Sequence, residues 1–131
     1  YGGCAGAMAA ALENTRNIEE EQLVENSRVV GAYLLEGLRS LGDMPLVGDV
    51  RGQGLFCCIE FVRDKQTKEP ISEAEITRIM ALVTAEGVLA GRTNTSLPGN
   101  NNIMNFAPAL IAAKADIDEI ITAVKHAIEK F

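Results

Sequence analysis

The stretch VGDVRGQGLFCCIEFV, from Val47 to Val62, constrains the fold more than any other part of the sequence. Two runs rich in β-branched, aromatic and other apolar residues flank Gly52 and Gly54, a pattern typical of two strands joined at a turn or bulge. Successive residues of a strand point to opposite faces, and in the second run the residues on both faces are apolar except for Glu60. This pattern predicts a central strand that is covered on each side.

The rest of the chain alternates between helical and strand patterns. Four segments have helix-favouring composition or helical apolar spacing, at about residues 4–20, 22–41, 72–86 and from 115 onward. Two short apolar runs, at 88–90 and 103–106, predict further strands. Ser72 and Glu75 have the spacing of a capping box that opens the third helix. The order helix, helix, strand, strand, helix, strand, strand, helix predicts an α+β two-layer sandwich, with a mainly antiparallel sheet of three or four strands.

Composition excludes several classes of function. The chain has 131 residues, enough for one domain, and a net charge of -6. Lys and Arg form no cluster, which argues against nucleic acid as a partner. No apolar run approaches the roughly twenty residues that a membrane-spanning helix needs. Cys57 and Cys58 are predicted to be buried free thiols, which favours a reducing, cytoplasmic compartment.

The chain opens at Tyr1 rather than at a methionine and runs directly into GGCAGAMAAAL. No charged leader precedes this alanine-rich stretch, and its small side chains suit a helix that packs closely against another element. We therefore expect the chain to be a piece of a longer polypeptide.

Most side chains that could support chemistry have an ordinary interpretation. His126 lies off the isoleucine stripe of the last helix and is predicted to face solvent, without a neighbouring nucleophile. No Cys or His pair has the spacing of metal ligands, so no metal site is predicted. RGQG does not match a dinucleotide-binding fingerprint, because a strand follows it instead of a helix. None of the five lysines is in a context that would activate its amine: Lys65, Lys68, Lys114, Lys125 and Lys130.

Arg92 is the one charged residue between Gly87 and Ala113. Its partner must therefore come from elsewhere in the fold, from another chain or from a ligand, and its planar fork suits a carboxylate or phosphate. Physical reasoning alone leaves ligand anchoring and plain surface exposure as equal alternatives. For Arg51 the favoured interpretation is structural, with hydrogen bonds to loop carbonyls or to an interface acid.

Five stretches together resemble a known family. YGGCAGAMAAAL, at residues 1–12, is similar in register to the Tyr-(Ser/Gly)-Gly-His-Pro-x-Ala-x-Ala-Ala-Ala-Leu stretch of the class III pyridoxal-phosphate aminotransferases, the ω-transaminases. Four more resemble, in the same order, the remaining landmarks of that family's C-terminal domain: LVENSRVVGAYLLEGL, VGDVRGQGLFCCIEFVRDKQTKEP, GVLAGRTNTSLPGNNNIMNFAPALI and DIDEII. The resemblance implies that residues 1–131 are the C-terminal small domain of a fold type I enzyme.

The resemblance also implies a function for the parent enzyme, which would move an amino group between an amine or ω-amino acid and a 2-oxo acid such as pyruvate. A large upstream domain would hold pyridoxal phosphate through a lysine and an acid that this chain lacks. We therefore expect no catalytic residue, no cofactor and no activity in the chain alone. The implied partners are that large domain, a second subunit of a homodimer or larger assembly, and the small amine and oxo-acid substrates.

Three residues acquire roles through the resemblance. Arg92 lies close to the family's arginine that clamps the substrate carboxylate. Tyr1 and Gly2 follow the position of a threonine that reaches the cofactor phosphate of the neighbouring subunit, and are therefore placed near that phosphate. Arg51 matches the family's Arg-Gly-x-Gly, for which no catalytic role is implied.

The sequence departs from the family pattern at some positions, and other interpretations stay open. Cys4-Ala5 replaces His-Pro, Ala113 stands where a capping threonine is common, and the loop after Arg92 is longer than in many relatives. The main alternative is a free-standing α+β ligand-binding or regulatory module in which Arg92 holds an amino acid effector. A stable proteolytic remnant without a function of its own is the third possibility.

Overall fold

The computed structural model describes residues 2–93 and 99–131. Its helices are α1 (Ala5–Glu20), α2 (Leu23–Arg39), α3 (Glu73–Ala85) and α4 (Lys114–Lys130). Its strands are β1 (Val47–Gln53), β2 (Phe56–Phe61), β3 (Gly91–Arg92) and β4 (Ile103–Phe106). This order along the chain confirms the predicted succession of helices and strands.

The strands form one antiparallel sheet in the order β1-β2-β4-β3. The predicted α+β class and antiparallel sheet are confirmed. The third strand was expected at residues 88–90, but the structure has it at Gly91–Arg92. The reason is that the Val88 N–H still bonds to the carbonyl of Val83, so the chain leaves the end of α3 later than its composition indicates.

The core lies between one face of the sheet and helices α2, α3 and α4. Leu34 of α2, Ile59 of β2 and Ile117 of α4 are all fully buried in it. Helix α1 contributes no buried residue, and among the described elements its main contact is with α2. The layer arrangement therefore leaves the second face of the sheet, here called the outer face, without a helix from the described part of the chain.

The prediction that β2 is covered on both sides is wrong, because its residues on the outer face are exposed or only partly buried. Phe56 is 64% exposed, and Cys58 and Glu60 are only partly buried. Cys57, on the helix side, is buried as predicted, but the expectation of a buried Cys58 is wrong. The physical reason is that all three core helices lie on one side, while Asp49, Arg51 and Glu60 keep the other side polar.

The predicted capping box at the start of α3 is present. The Ser72 hydroxyl accepts a hydrogen bond from the Glu75 N–H at 3.3 Å, and the Glu75 carboxylate accepts one from the Ser72 N–H at 2.7 Å. Arg63 also donates to this carboxylate at 2.7 Å. Together, the bonds from Ser72 and then Arg63 lower the pKa of Glu75 to about 2.

This low pKa predicts a pH-dependent contribution to stability. A carboxyl whose folded pKa is about 2 and whose ordinary pKa is 4.5 stabilises the fold above pH 4.5, and loses that effect as the pH falls toward 2. We expect Glu75→Gln to lower the melting temperature at pH 6, and the difference from the native chain to shrink steadily on acidification. Thermal unfolding of both chains between pH 2 and pH 6 measures this, and a difference that stays constant with pH would contradict it.

Candidate functional site

Arg92 lies at the sheet edge. It belongs to β3, which pairs with β4 and is an edge strand of the sheet in the described residues, and Arg92 itself pairs with Met104. Its guanidinium Nη1 donates a hydrogen bond to the Thr77 hydroxyl of α3 at 3.1 Å. Within residues 2–93 and 99–131 the structure gives Arg92 no ion pair. The guanidinium is therefore held by one neutral contact and is only partly buried.

The segment that returns from the Arg92 loop to β4 is anchored by two buried asparagines. Asn102 donates to the Phe61 carbonyl at 2.6 Å, and Asn101 donates to Glu73 at 2.8 Å. Both amides therefore bind other parts of the protein itself. Asn94 and Pro98 of the same loop lie outside the described residues. The loop is thus tied to β2 and α3 just before β4 begins.

A cleft of about 630 Å³ opens beside β3. Its walls are the chain segments 88–91 and 105–108 together with Asp116, Glu119 and Ile120 of α4. Arg92 itself is not among the lining residues, because its side chain turns toward Thr77 on the helix side. Asn105 does line the cleft. Its Oδ1 is buried without a hydrogen-bond partner in the part of the chain that the structure describes. The cleft and Arg92 are therefore adjacent but separate features.

Arg51 has a structural role on the outer face. Its Nη1 donates to the carboxylates of Asp49 at 2.6 Å and Glu60 at 2.8 Å. These bonds, first from Asp49 and then from Glu60, raise the pKa of Arg51. The structural interpretation holds, although the partners are carboxylates of its own sheet and not loop carbonyls. Such exposed pairs contribute little to stability.

The lysines of the chain do not fit a covalent cofactor site. Lys65 and Lys68 donate to the carbonyls of Gly42 and Gly48, and Lys114 lies over the Tyr33 ring. The remaining two form ion pairs with carboxylates on the protein surface, Lys125 with Glu129 and Lys130 with Glu86. An amine that forms a Schiff base is usually desolvated or beside another cation. No step through a carbonyl cofactor can therefore be assigned to the lysines of this chain.

His126 lies on α4 with 45% of its side chain exposed. Its Nδ1 is 3.4 Å from the Glu86 carboxylate, which also accepts a bond from Lys130. Lys130, and then His126, hold the pKa of Glu86 below its ordinary value. The histidine is thus half exposed and paired with a carboxylate rather than simply facing solvent.

Two predicted site residues stand at the start of the chain. Tyr1 lies outside the described residues. Gly2 is exposed, and a side chain at its position would meet no atom within 4 Å. Their placement near a cofactor phosphate therefore stays a prediction.

The described residues contain neither a cluster of metal ligands nor a membrane-spanning helix. No group of three or more His, Cys, Asp or Glu residues within residues 2–93 and 99–131 could hold a metal ion. None of the helices in the same ranges is both long and apolar enough to cross a membrane.

Thr77 and Asn105 were not predicted from the sequence as neighbours of Arg92. The pattern Ile103-Met104-Asn105-Phe106 does carry a signal, because an asparagine interrupts an otherwise apolar strand. Its significance depends on the pairing of Asn105 with Gly91, which only the sheet register shows.

Comparison with solved structures identifies the class of protein. A Bacillus anthracis aminotransferase superposes with a TM-score of 0.89 at 41% sequence identity, covering 92% of this chain and 27% of that one. A thermostable ω-transaminase from Pseudomonas jessenii gives a TM-score of 0.84 at 30% identity, covering 95% of this chain and 26% of the other. The described fold is that of the small domain of fold type I aminotransferases.

The family follows from the sequence comparisons. The family model of the class III aminotransferases matches residues 1–128, and the chain belongs to that family. The taurine–pyruvate aminotransferase of Rhodobacter capsulatus is 47% identical over 131 residues, which are 99% of this chain and 28% of that protein. The hypotaurine/taurine–pyruvate aminotransferase of Paracoccus denitrificans is 44% identical over 131 residues, again 99% of this chain and 28% of the relative. The chain thus spans less than a third of the length of the curated relatives that it matches.

Proposed function

We propose that this chain is the C-terminal small domain of a pyridoxal-phosphate aminotransferase. The complete enzyme transfers an amino group from an amine or ω-amino acid to a 2-oxo acid such as pyruvate. Two of its relatives carry taurine and pyruvate in their names, which supports taurine, an aminosulfonate, as the amino donor. The family match over residues 1–128 favours this function over a free-standing regulatory module.

The observation that carries the proposal is the state of Arg92. Its guanidinium lies at the edge of the sheet and donates one hydrogen bond, to the Thr77 hydroxyl. It forms no ion pair in the described part of the chain. A guanidinium in this state can leave its neutral partner for a carboxylate or sulfonate, which it binds through two parallel hydrogen bonds. Arg92 therefore holds the anionic end of the substrate, and can turn away when the substrate has a neutral end.

Residues outside this chain hold the cofactor and carry the chemical step. The class III family implies pyridoxal phosphate in the whole enzyme, and the five lysines of this chain are engaged elsewhere. Tyr1 and Gly2 lie near the phosphate bound by the partner subunit of a homodimer or larger assembly. The enzyme is cytoplasmic, in keeping with the free thiols of Cys4, Cys57 and Cys58.

An amino-transfer assay tests the proposed function. The complete polypeptide and the 131-residue chain are each incubated with pyridoxal phosphate, taurine and pyruvate, and alanine is measured by chromatography. We expect alanine from the complete polypeptide and none from the 131-residue chain. Alanine from the 131-residue chain would contradict the domain assignment, and failure of the complete polypeptide with taurine and a panel of other amines would contradict the function.

A further inference from the structure

Thr77 is the residue on which the guanidinium of Arg92 rests. The Nη1 atom of Arg92 donates to the Thr77 hydroxyl at 3.1 Å, and the guanidinium makes no other hydrogen bond or ion pair with the described residues. A guanidinium carries five N–H donors, so most of them have no acceptor in that part of the chain. The bond to Thr77 therefore places the guanidinium without satisfying it.

The Thr77 hydroxyl is oriented to accept this bond. It donates its own proton to the carbonyl of Glu73, one turn earlier in α3, at 2.6 Å. A hydroxyl has one proton and two lone pairs, so Oγ1 presents only acceptor lone pairs to Arg92. The surface of α3 thus offers a single neutral acceptor at the position where the guanidinium rests.

Helix α3 is a fixed support for this acceptor, whereas Arg92 is free to move. Ile76 and Ile79, on either side of Thr77 along the helix, are fully buried in the core. Arg92 lies on the two-residue edge strand β3 and has a long flexible stem. When the contact breaks, the guanidinium therefore moves and the hydroxyl stays in place.

An acid competes with Thr77 for the guanidinium. A carboxylate or sulfonate takes two parallel hydrogen bonds from the fork, whereas the hydroxyl takes one. The acid therefore displaces Thr77, and Thr77 recovers the guanidinium when the substrate has a neutral end. Because only the released guanidinium binds an acid, the apparent affinity for an acid is proportional to the fraction of molecules in which Arg92 is released.

We propose that Thr77 is a positioning residue that sets the substrate specificity of the enzyme, because its hydroxyl fixes the balance between resting and released Arg92. This inference rests on the proposed function. The released position favours acids. The resting position favours substrates with a neutral end, because it keeps an unpaired positive charge away from them. Thr77 acts through Arg92 and contacts neither kind of substrate.

The test removes the hydroxyl with Thr77→Val, which keeps the β-branched shape of this exposed side chain. In the complete polypeptide, we expect kcat/KM to rise about 3-fold for pyruvate and to fall about 3-fold for a primary amine without an anionic group. Together these shifts change the balance about tenfold, or about 1.4 kcal/mol, which is the size expected for one hydrogen bond. The inhibition constant of propanoate, an acid without an amine or oxo group, should fall by the same factor of about 3.

Two further variants make this test specific. Thr77→Ser keeps the hydroxyl and should restore the native values for both substrates. Thr84→Val is the matched control, because the exposed Thr84 hydroxyl of the same helix donates to the Met80 carbonyl, four residues earlier, at 2.9 Å. Thr84 forms no bond to Arg92 in the described residues, so its loss should change neither substrate.

The outcomes separate this inference from the function on which it rests. A lower kcat/KM for pyruvate in Thr77→Val would mean that the hydroxyl aligns Arg92 for the acid, and would overturn the inference. Equal changes for pyruvate and the amine, or equal effects of Thr77→Val and Thr84→Val, would overturn it too, with amino transfer intact. A native enzyme that transfers an amino group from no amine would instead overturn the proposed function itself.

Discussion

Replacing Arg92 by alanine in the complete enzyme should raise KM for pyruvate by about 100-fold, since hydrogen bonds to a charged group contribute about 1.5–3 kcal/mol. The same substitution should leave KM almost unchanged for a primary amine without an anionic group. The difference arises because a neutral amine never uses the guanidinium, which stays on Thr77 as it does in the structure. Steady-state kinetics with both substrates measure the effect.

Arg92→Lys is the matched variant for this prediction. Lysine keeps the positive charge but presents a single ammonium group in place of the planar fork, so its effect on pyruvate should fall between those of the native residue and alanine. If Arg92→Ala affects pyruvate and the neutral amine equally, Arg92 is not part of the substrate site.

Replacing Gly31 by alanine should destabilise the 131-residue chain by about 3 kcal/mol, the upper part of the usual range for overpacking a core. A β-carbon at Gly31 of α2 would overlap the carbonyl carbon and oxygen of Gly54. This backbone cannot easily move away, because Gly54 has a φ of +55° and the Leu55 N–H bonds to the Ser27 hydroxyl at 3.2 Å. Denaturant unfolding of the two chains gives the difference in unfolding free energy.

Gly37→Ala, on the same helix, is the control for Gly31. A β-carbon there would meet the Cδ1 methyl of Ile121, the end of a flexible side chain that can adopt another rotamer. Alanine also favours a helix over glycine by about 1 kcal/mol. We therefore expect Gly37→Ala to cost clearly less than Gly31→Ala, and a larger cost at Gly37 would show that backbone contact at Gly31 does not decide the packing of α2.

The elements that could be predicted from the sequence are those set by local physics. Helical spacing located α2 and α4, and the Ser72–Glu75 spacing predicted a capping box that the structure contains. The strand at 103–106 agrees with its predicted bounds. In each of these cases, residues within a few positions of one another determine the conformation.

The features that were missed depend on contacts between distant residues. One-sided cover of the sheet could not be predicted, because the apolar content of β2 does not show where the helices lie. Gly31 looks like an ordinary helical glycine until Gly54 is placed against it. Arg92 was identified as a candidate from its isolation among uncharged residues, but its contact with Thr77 and its nearness to Asn105 follow only from the packing of α3 and the register of β3 with β4.

The central claim is that this chain is one domain of an aminotransferase whose cofactor is bound elsewhere, and locating the cofactor-bound lysine tests it most directly. The complete polypeptide is reduced with borohydride in the presence of pyridoxal phosphate, digested, and the modified lysine is identified by mass spectrometry. We predict a single pyridoxyl-lysine in the part of the polypeptide outside residues 1–131. A pyridoxyl group on Lys65, Lys68, Lys114, Lys125 or Lys130, or on no lysine at all, would contradict the account.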